Sequence, residues 1–257
     1  MTTTKKTFFI VSIIAILAPI PLYLGYRTYC KLTNDSHVIH SYQELLPMVD
    51  TIDKDTLVVF DIDNTLITSP ITRRRPWFKA LFSINYIELI KVGWDDYFSQ
   101  LWLDAPFKII EPVAIELIEK LKDKGVTVLA LTSLQSGPYG VIPNMAESRY
   151  MMLKKMGIEF SQNYADTTFT NFPEHESSYP KLYKGILFAN RQNKGAVLEA
   201  FLNYAQLKPK KIIAFENRIS KLKLLENKAN ELGIQFVGYQ YIRVKKVKNH
   251  EHRRIIN

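Results

Sequence analysis

The sequence predicts an α/β protein: a Rossmann-like three-layer sandwich with a mainly parallel central sheet, a small helical cap insert and a hydrophobic helix ahead of it. Apolar runs near residues 57–61, 126–131, 211–215 and 234–239 each read as a buried strand. Between them lie stretches with helical apolar spacing, notably 111–121 and 194–202, and such alternation is the pattern of a sheet covered by helices. A chain of 257 residues with 47% hydrophobic content can bury one core of this kind and needs no second domain.

At the amino terminus Lys5 and Lys6 precede an uncharged stretch, Thr7 to Tyr26, rich in Phe, Ile and Leu. Twenty residues at about 1.5 Å each span roughly 30 Å, enough for a bilayer core. Residues 1–30 therefore read as a signal or anchor segment. Pro19 and Pro21 would also suit the end of a shorter signal peptide, but no small-x-small cleavage site follows and Cys30 lacks the small residues that precede a lipid-modified cysteine. An uncleaved anchor is favoured over a cleaved signal, placing the protein in a membrane or outside it. Basic residues flank both sides, Lys5 and Lys6 against Arg27 and Lys31, and leave the orientation undecided. Cys30 is the only cysteine, so no internal disulfide is possible. Asn34 to His40 reads as a linker, and Tyr42 to Val49 as a short helix.

The domain proper, 31–243, begins its sheet with the run Leu57 to Phe60, which delivers Asp61 and Asp63 off its end. Side chains just past the carboxyl end of a central strand face the ligand crevice of an open α/β sheet. Two carboxylates there disfavour each other's ionisation unless a cation or substrate compensates. A calcium loop is excluded, because counting from Asp61 puts Leu66 where an EF-hand needs Gly and Thr72 where it needs Glu. An insert at about 68–107 follows. Trp77, Phe78, Leu81, Phe82, Tyr86, Ile87 and Ile90 recur there at helical spacing, with Tyr97, Trp102 and Leu103 behind them, most of the aromatics as the core of a small helical cap and the remainder available to cover a substrate. Arg73, Arg74 and Arg75 in the insert read first as a solvated loop, with attraction of an anionic substrate as the sharper alternative.

The second strand, 126–131, ends in Thr132 and Ser133, and Lys194 opens the helical pattern of Val197, Leu198, Phe201 and Leu202. Lys184 and Arg191 are the alternative cations. The strand 211–215 ends in Glu216 and Asn217. The histidines, His37, His40, His175, His250 and His252, are scattered and read as solvated surface. The formal charge of +9 raises nucleic acid as a partner, but Arg243 to Asn257 holds six basic residues against Glu251, so the excess is concentrated in a basic tail, 244–257 with Arg243. Such a tail is most simply disordered or membrane-facing, and no aromatic-interleaved RNA-binding motif is visible.

Asp61-Ile-Asp-Asn-Thr-Leu66 after an apolar strand resembles the first motif of the haloacid-dehalogenase (HAD) superfamily, largely phosphatases and phosphotransferases that pass through an aspartyl-phosphate. The resemblance implies Asp61 as nucleophile and Asp63 as general acid and base. It implies that Thr132, with Ser133 as substitute, donates to a phosphoryl oxygen, and that Lys194 offsets the charge gathering there. The fourth motif usually carries two Asp, and here Glu216-Asn217 stands in their place. A Mg²⁺ ion on this reading would involve Asp61, Asp63, Glu216 and Asn217. The order of elements from about His40 to Arg243 further resembles uncharacterised bacterial HAD-like proteins with an export segment, which implies a bacterial periplasmic location. The expected activity is hydrolysis of a phosphate monoester, small-molecule or phosphoprotein. The alternative is a catalytically weakened relative that binds a phosphorylated ligand or protein partner.

Overall fold

In a computed structural model the described residues are 36–69 and 93–243. The hydrophobic segment, most of the insert including Arg73 to Arg75 and Trp77 to Ile90, and the basic tail lie outside them. No helix among the described residues is long and apolar enough to cross a membrane.

The elements in chain order are β1 (Ser36–Ile39), a 3-10 helix (Tyr42–Thr51), β2 (Thr56–Phe60), β3 (Ile67–Thr68), α1 (Trp94–Leu103), β4 (Lys108–Ile109), α2 (Val113–Asp123), β5 (Thr127–Thr132) and α3 (Met145–Lys155). They continue with β6 (Thr167–Thr168), β7 (Lys181–Tyr183), β8 (Ile186–Phe188), α4 (Lys194–Ala205), β9 (Lys211–Glu216), α5 (Ile219–Glu231) and β10 (Gln235–Tyr241). The main sheet runs β1-β10-β9-β2-β5-β8-β7-β6, with β10, β9, β2, β5 and β8 mutually parallel and β7 antiparallel to both neighbours. β3 and β4 pair separately as an antiparallel neck where the insert leaves and rejoins the domain.

β2 shows why the sheet needs helices on both sides. All five of its residues are buried. Val58 and Phe60 join a cluster with Leu117 and Ile118 of α2, Leu153 of α3 and Tyr42 of the 3-10 helix. Leu57 and Val59 join the opposite cluster with Val197, Leu198 and Phe201 of α4 and Leu222 and Leu225 of α5. Strand residues alternate faces, so a continuous apolar run feeds both layers.

Two expectations are corrected. Ser36–Ile39 is an edge strand rather than a linker, tied to the strand beside it where the Ile242 amide donates to the Ile39 carbonyl at 2.9 Å. The helix after it is a 3-10 helix over ten residues, longer than expected and containing Pro47, opened by a Ser41 capping box with Glu44.

Candidate functional site

The strand order places the crevice. From β2 the chain moves outward through β5 to β8, then returns to β9 on the other side of β2 and moves outward again to β10. The reversal between β2 and β9 is where an open α/β sheet leaves a crevice at its carboxyl ends. Phe60 is level with Phe215, so the next residues, Asp61 and Glu216, stand side by side. The Asp61 amide donates to the Phe215 carbonyl at 2.8 Å, holding the acid by the sheet ladder itself.

Past Asp61 the chain turns sharply. Asn64 adopts φ 64°, in the left-handed region that Asn tolerates, and the amides of Leu66 and Ile67 return to the Ile62 carbonyl at 2.9 and 3.1 Å. The turn brings the Thr65 hydroxyl to Asp61 Oδ2 at 2.8 Å. Lys194 is the first residue of α4, whose start is fixed by Asn193 accepting from the Gly195 and Ala196 amides. Gly195 must be glycine for α4 to approach α5, since a Cβ there would lie 2.4 Å from the Leu224 carbonyl oxygen.

Lys194 Nζ donates to Asp61 Oδ1 and to Glu216 Oε2, each at 2.7 Å. All three side chains are buried, Lys194 and Glu216 at 1% exposure and Asp61 at 7%. Burial alone would lower the Lys194 pKa, but the charges of Asp61 and Glu216 and the hydrogen bonds to both outweigh it and raise the value. Burial, then the charge of Asp61, raises the Glu216 pKa despite the ammonium. Lys221 of α5 is pushed down by burial and by the charges of Arg218 and Lys194. The alternative cations stand apart: Lys184 pairs with Asp166 at 3.4 Å and Arg191 with Glu176 at 3.5 Å, both largely exposed.

Thr132 is buried at the end of β5, its hydroxyl oxygen accepting from the Leu134 amide at 3.2 Å. The loop after β8 is bonded to this strand end, with the amides of Ala189, Arg191 and Asn190 donating to the carbonyls of Thr132, Ser133 and Leu134 at 2.8, 3.0 and 3.1 Å. Ser133 Oγ is buried with no hydrogen-bond partner, and so is Asn217 Oδ1. Two unsatisfied polar atoms just past the ends of β5 and β9 leave hydrogen-bonding capacity for a polar ligand.

Asp63 is engaged by a residue that the sequence reading passed over. Arg149 of α3 is 1% exposed, and its Nη2 lies 3.1 and 3.2 Å from the two carboxylate oxygens of Asp63. Its position carried a signal: the buried residues of α3 are Met145, Ala146, Arg149 and Leu153, so a cation occupies the apolar stripe of a helix. His175 is another departure from expectation, half-buried rather than solvated, its Nε2 3.4 Å from Glu176.

The residues expected to hold Mg²⁺ fit such an ion in part. Both oxygens of Asp61 already accept protein hydrogen bonds, and Glu216 accepts from Lys194 and from the Arg218 amide at 3.2 Å. The unpartnered Asn217 Oδ1 is the acceptor left open for a hard cation. Among the described residues no group of three or more His, Cys, Asp or Glu side chains converges as a metal cluster. A cavity of about 620 Å³ opens beside Gly125 and Val126, at the amino end of β5 and so away from these groups; its Glu119 and Lys122 satisfy each other.

The fold and site thus define a mainly parallel α/β protein with a buried carboxylate–lysine–carboxylate triad at the carboxyl ends of its central strands. Residues 38–257 match the family described as proteins of unknown function, DUF2608, and the chain belongs to that family. An uncharacterized protein of Rickettsia prowazekii is 29% identical over 238 residues, covering 89% of this chain and 83% of the relative. Another, from Rickettsia felis, is 26% identical over 207 residues, covering 78% of this chain and 64% of the relative. Among solved structures, a HAD family enzyme of Bacteroides thetaiotaomicron, an aspartate-to-alanine mutant in complex with magnesium and inorganic phosphate, aligns over 77% of this chain and 97% of its own at 14% identity. Its TM-score is 0.39.

Proposed function

We propose that the protein is a HAD-like hydrolase of phosphate monoesters that uses Asp61 as nucleophile. The observation that carries this reading is the triad: Lys194 Nζ 2.7 Å from both Asp61 and Glu216 at the switch point of the sheet. A buried ammonium hydrogen-bonded to a carboxylate orients it, while the second carboxylate holds the ammonium in place. As Asp61 attacks phosphorus the ester oxygen leaves, and charge builds on the phosphoryl oxygens beside Lys194. On this reading Thr132 and the unpartnered Ser133 hydroxyl donate to those oxygens, and Asp63 gives the leaving oxygen its proton and later takes one from water. A Mg²⁺ ion would be held through Asp61 and Asn217 with retained waters, Glu216 bordering it, and would neutralise phosphoryl charge.

A second reading is favoured by one observation. Asp63 is ion-paired to Arg149, and an acid so engaged suits binding of a phosphorylated ligand or protein partner without turnover. In both readings Thr7 to Tyr26 anchors or exports the chain, and nucleic acid is not the partner. The test is Mg²⁺-supported hydrolysis of p-nitrophenyl phosphate by the full chain beside Asp61→Asn. The amide is nearly isosteric but a poor nucleophile, so activity should vanish while the melting curve stays cooperative. Equal rates in the two proteins would remove Asp61 as nucleophile; binding of inorganic phosphate with no turnover in either would select the second reading.

A further inference from the structure

We propose that Arg149 is the positioning residue of Asp63, and that Trp102 and Phe107 of the insert clasp its guanidinium in place. The inference rests on the reading of Asp63 as the proton-transfer group and assigns a role to a residue outside the expected motifs. A guanidinium at 1% exposure in the apolar stripe of α3 is unfavourable for folding alone, because an apolar side chain of similar volume would avoid its desolvation. Its polar contacts are few. Nη1 meets only Met152 Sδ at 4.0 Å, and Nε is buried with no hydrogen-bond partner. Among the described residues Asp63 is the one carboxylate in ion-pair reach.

Two rings hold the other surface of the group. The Arg149 Cζ lies 5.1 Å from the Trp102 ring centre and 5.4 Å from that of Phe107, and these rings meet edge to face at 5.4 Å. Both belong to the insert, one on α1 and one just before β4. The Asp63 side chain keeps 28% exposure, so it can be reached from the crevice while Arg149 cannot. Arg149 therefore acts on the reaction through the orientation of Asp63, and the insert acts through Arg149.

The experiment compares kcat and KM of the full chain on p-nitrophenyl phosphate and on phenyl phosphate, whose more basic leaving group depends more on protonation. The proteins are wild type, Arg149→Met, Arg149→Lys, Asp63→Asn and the double variant Asp63→Asn with Arg149→Met. In Arg149→Met we expect kcat on phenyl phosphate to fall about tenfold more than on p-nitrophenyl phosphate, with KM within about threefold. Arg149→Lys should recover part of the loss. In the Asp63→Asn background the same change should alter kcat by less than about twofold. Equal losses on both substrates, or losses that multiply in the double variant, would make Arg149 a structural residue only. If Arg149→Met does not fold, Trp102→Leu with Arg149→Lys carries the test, and each should show the same leaving-group signature in smaller measure; no signature in either overturns the proposal. Turnover that needs Asp61 but ignores Arg149 defeats this inference alone, whereas absence of Asp61-dependent turnover removes the phosphatase reading and this inference with it.

Discussion

Replacing Lys194 with Met keeps the length of the side chain and deletes the charge that Asp61 and Glu216 share. At 2.7 Å and an effective dielectric of about 20, each pair attracts by roughly 6 kcal/mol, most of it offset by desolvating the ions. Removing one member of a buried ionic set leaves the others uncompensated, at a cost of about 3–5 kcal/mol. At roughly 2–4 °C per kcal/mol for a domain of this size, Lys194→Met should melt some 6–20 °C below wild type at pH 7.5. The pH dependence has a defined sign. Glu216 has a raised pKa, from burial first and then the charge of Asp61, so its contribution to stability is full below the ordinary carboxylate value of 4.5 and falls as pH rises through the native one. Lys194 is raised above 10.5 by its two partners against its burial, so in wild type its contribution is lost only as pH rises through that higher value. The melting deficit of Lys194→Met should therefore shrink as pH falls from 7.5 toward 4.5, and adding Glu216→Gln should recover part of it at pH 7.5. Calorimetric scans of the three proteins at the two pH values decide it. A deficit under about 2 °C at pH 7.5, or one that grows on acidification, would mean that the three charges are not buried together.

In Glu216→Asp with Asn217→Asp a carboxylate replaces the neutral Asn217 amide, and the Mg²⁺ concentration giving half-maximal phosphatase activity should fall; an unchanged value in a folded protein would place the pair away from the ion. Gly140 has φ 50°, and a Cβ there would lie 2.2 Å from both the Asp95 carbonyl oxygen and Ser99 Oγ of α1. Gly140→Ala should accordingly cost about 1–3 kcal/mol and speed proteolytic cleavage within the insert, whereas a wild-type cleavage rate would refute the docking of α1 on this loop. The full chain should remain with membranes through a high-salt wash, since about twenty apolar residues insert more firmly than a basic tail adheres; release by salt would point to electrostatic attachment.

The strands β2, β5 and β9 were legible because each is mostly a run of apolar residues buried from both sides, a property of the segment itself, and β10 by its apolar residues beside them. β1 was not, because Ser36-His-Val-Ile owes its extended form to its place at the sheet edge beside β10. The hairpin of β7 and β8 could have been found. Lys184 and Gly185 both have positive φ, as a two-residue hairpin turn requires, and a residue followed by Gly between apolar pairs is its sequence mark. Of the site, Asp61, Thr132, Lys194 and Glu216 could be nominated from their places at strand ends and a helix start. What remained hidden was pairing across long separations: Arg149 meets Asp63 from 86 residues away, and only the tertiary fold shows which acid that guanidinium serves.

The triad also bears on how the sheet is assembled. β2, β5 and β9 are uniform apolar ribbons, and side chains such as Val58, Leu129 and Ile213 would pack nearly as well one step out of line. Sliding β9 by one residue against β2 would carry Glu216 about 3.3 Å along the strand and turn its carboxylate to the opposite helical layer. Lys194 would then lose one partner, and a naked charge would be shut into hydrocarbon, a penalty that no misaligned set of valines and leucines could offset. The same three side chains proposed to handle phosphate thus admit a single alignment of the central strands, and a chain that has reached them has already been proofread.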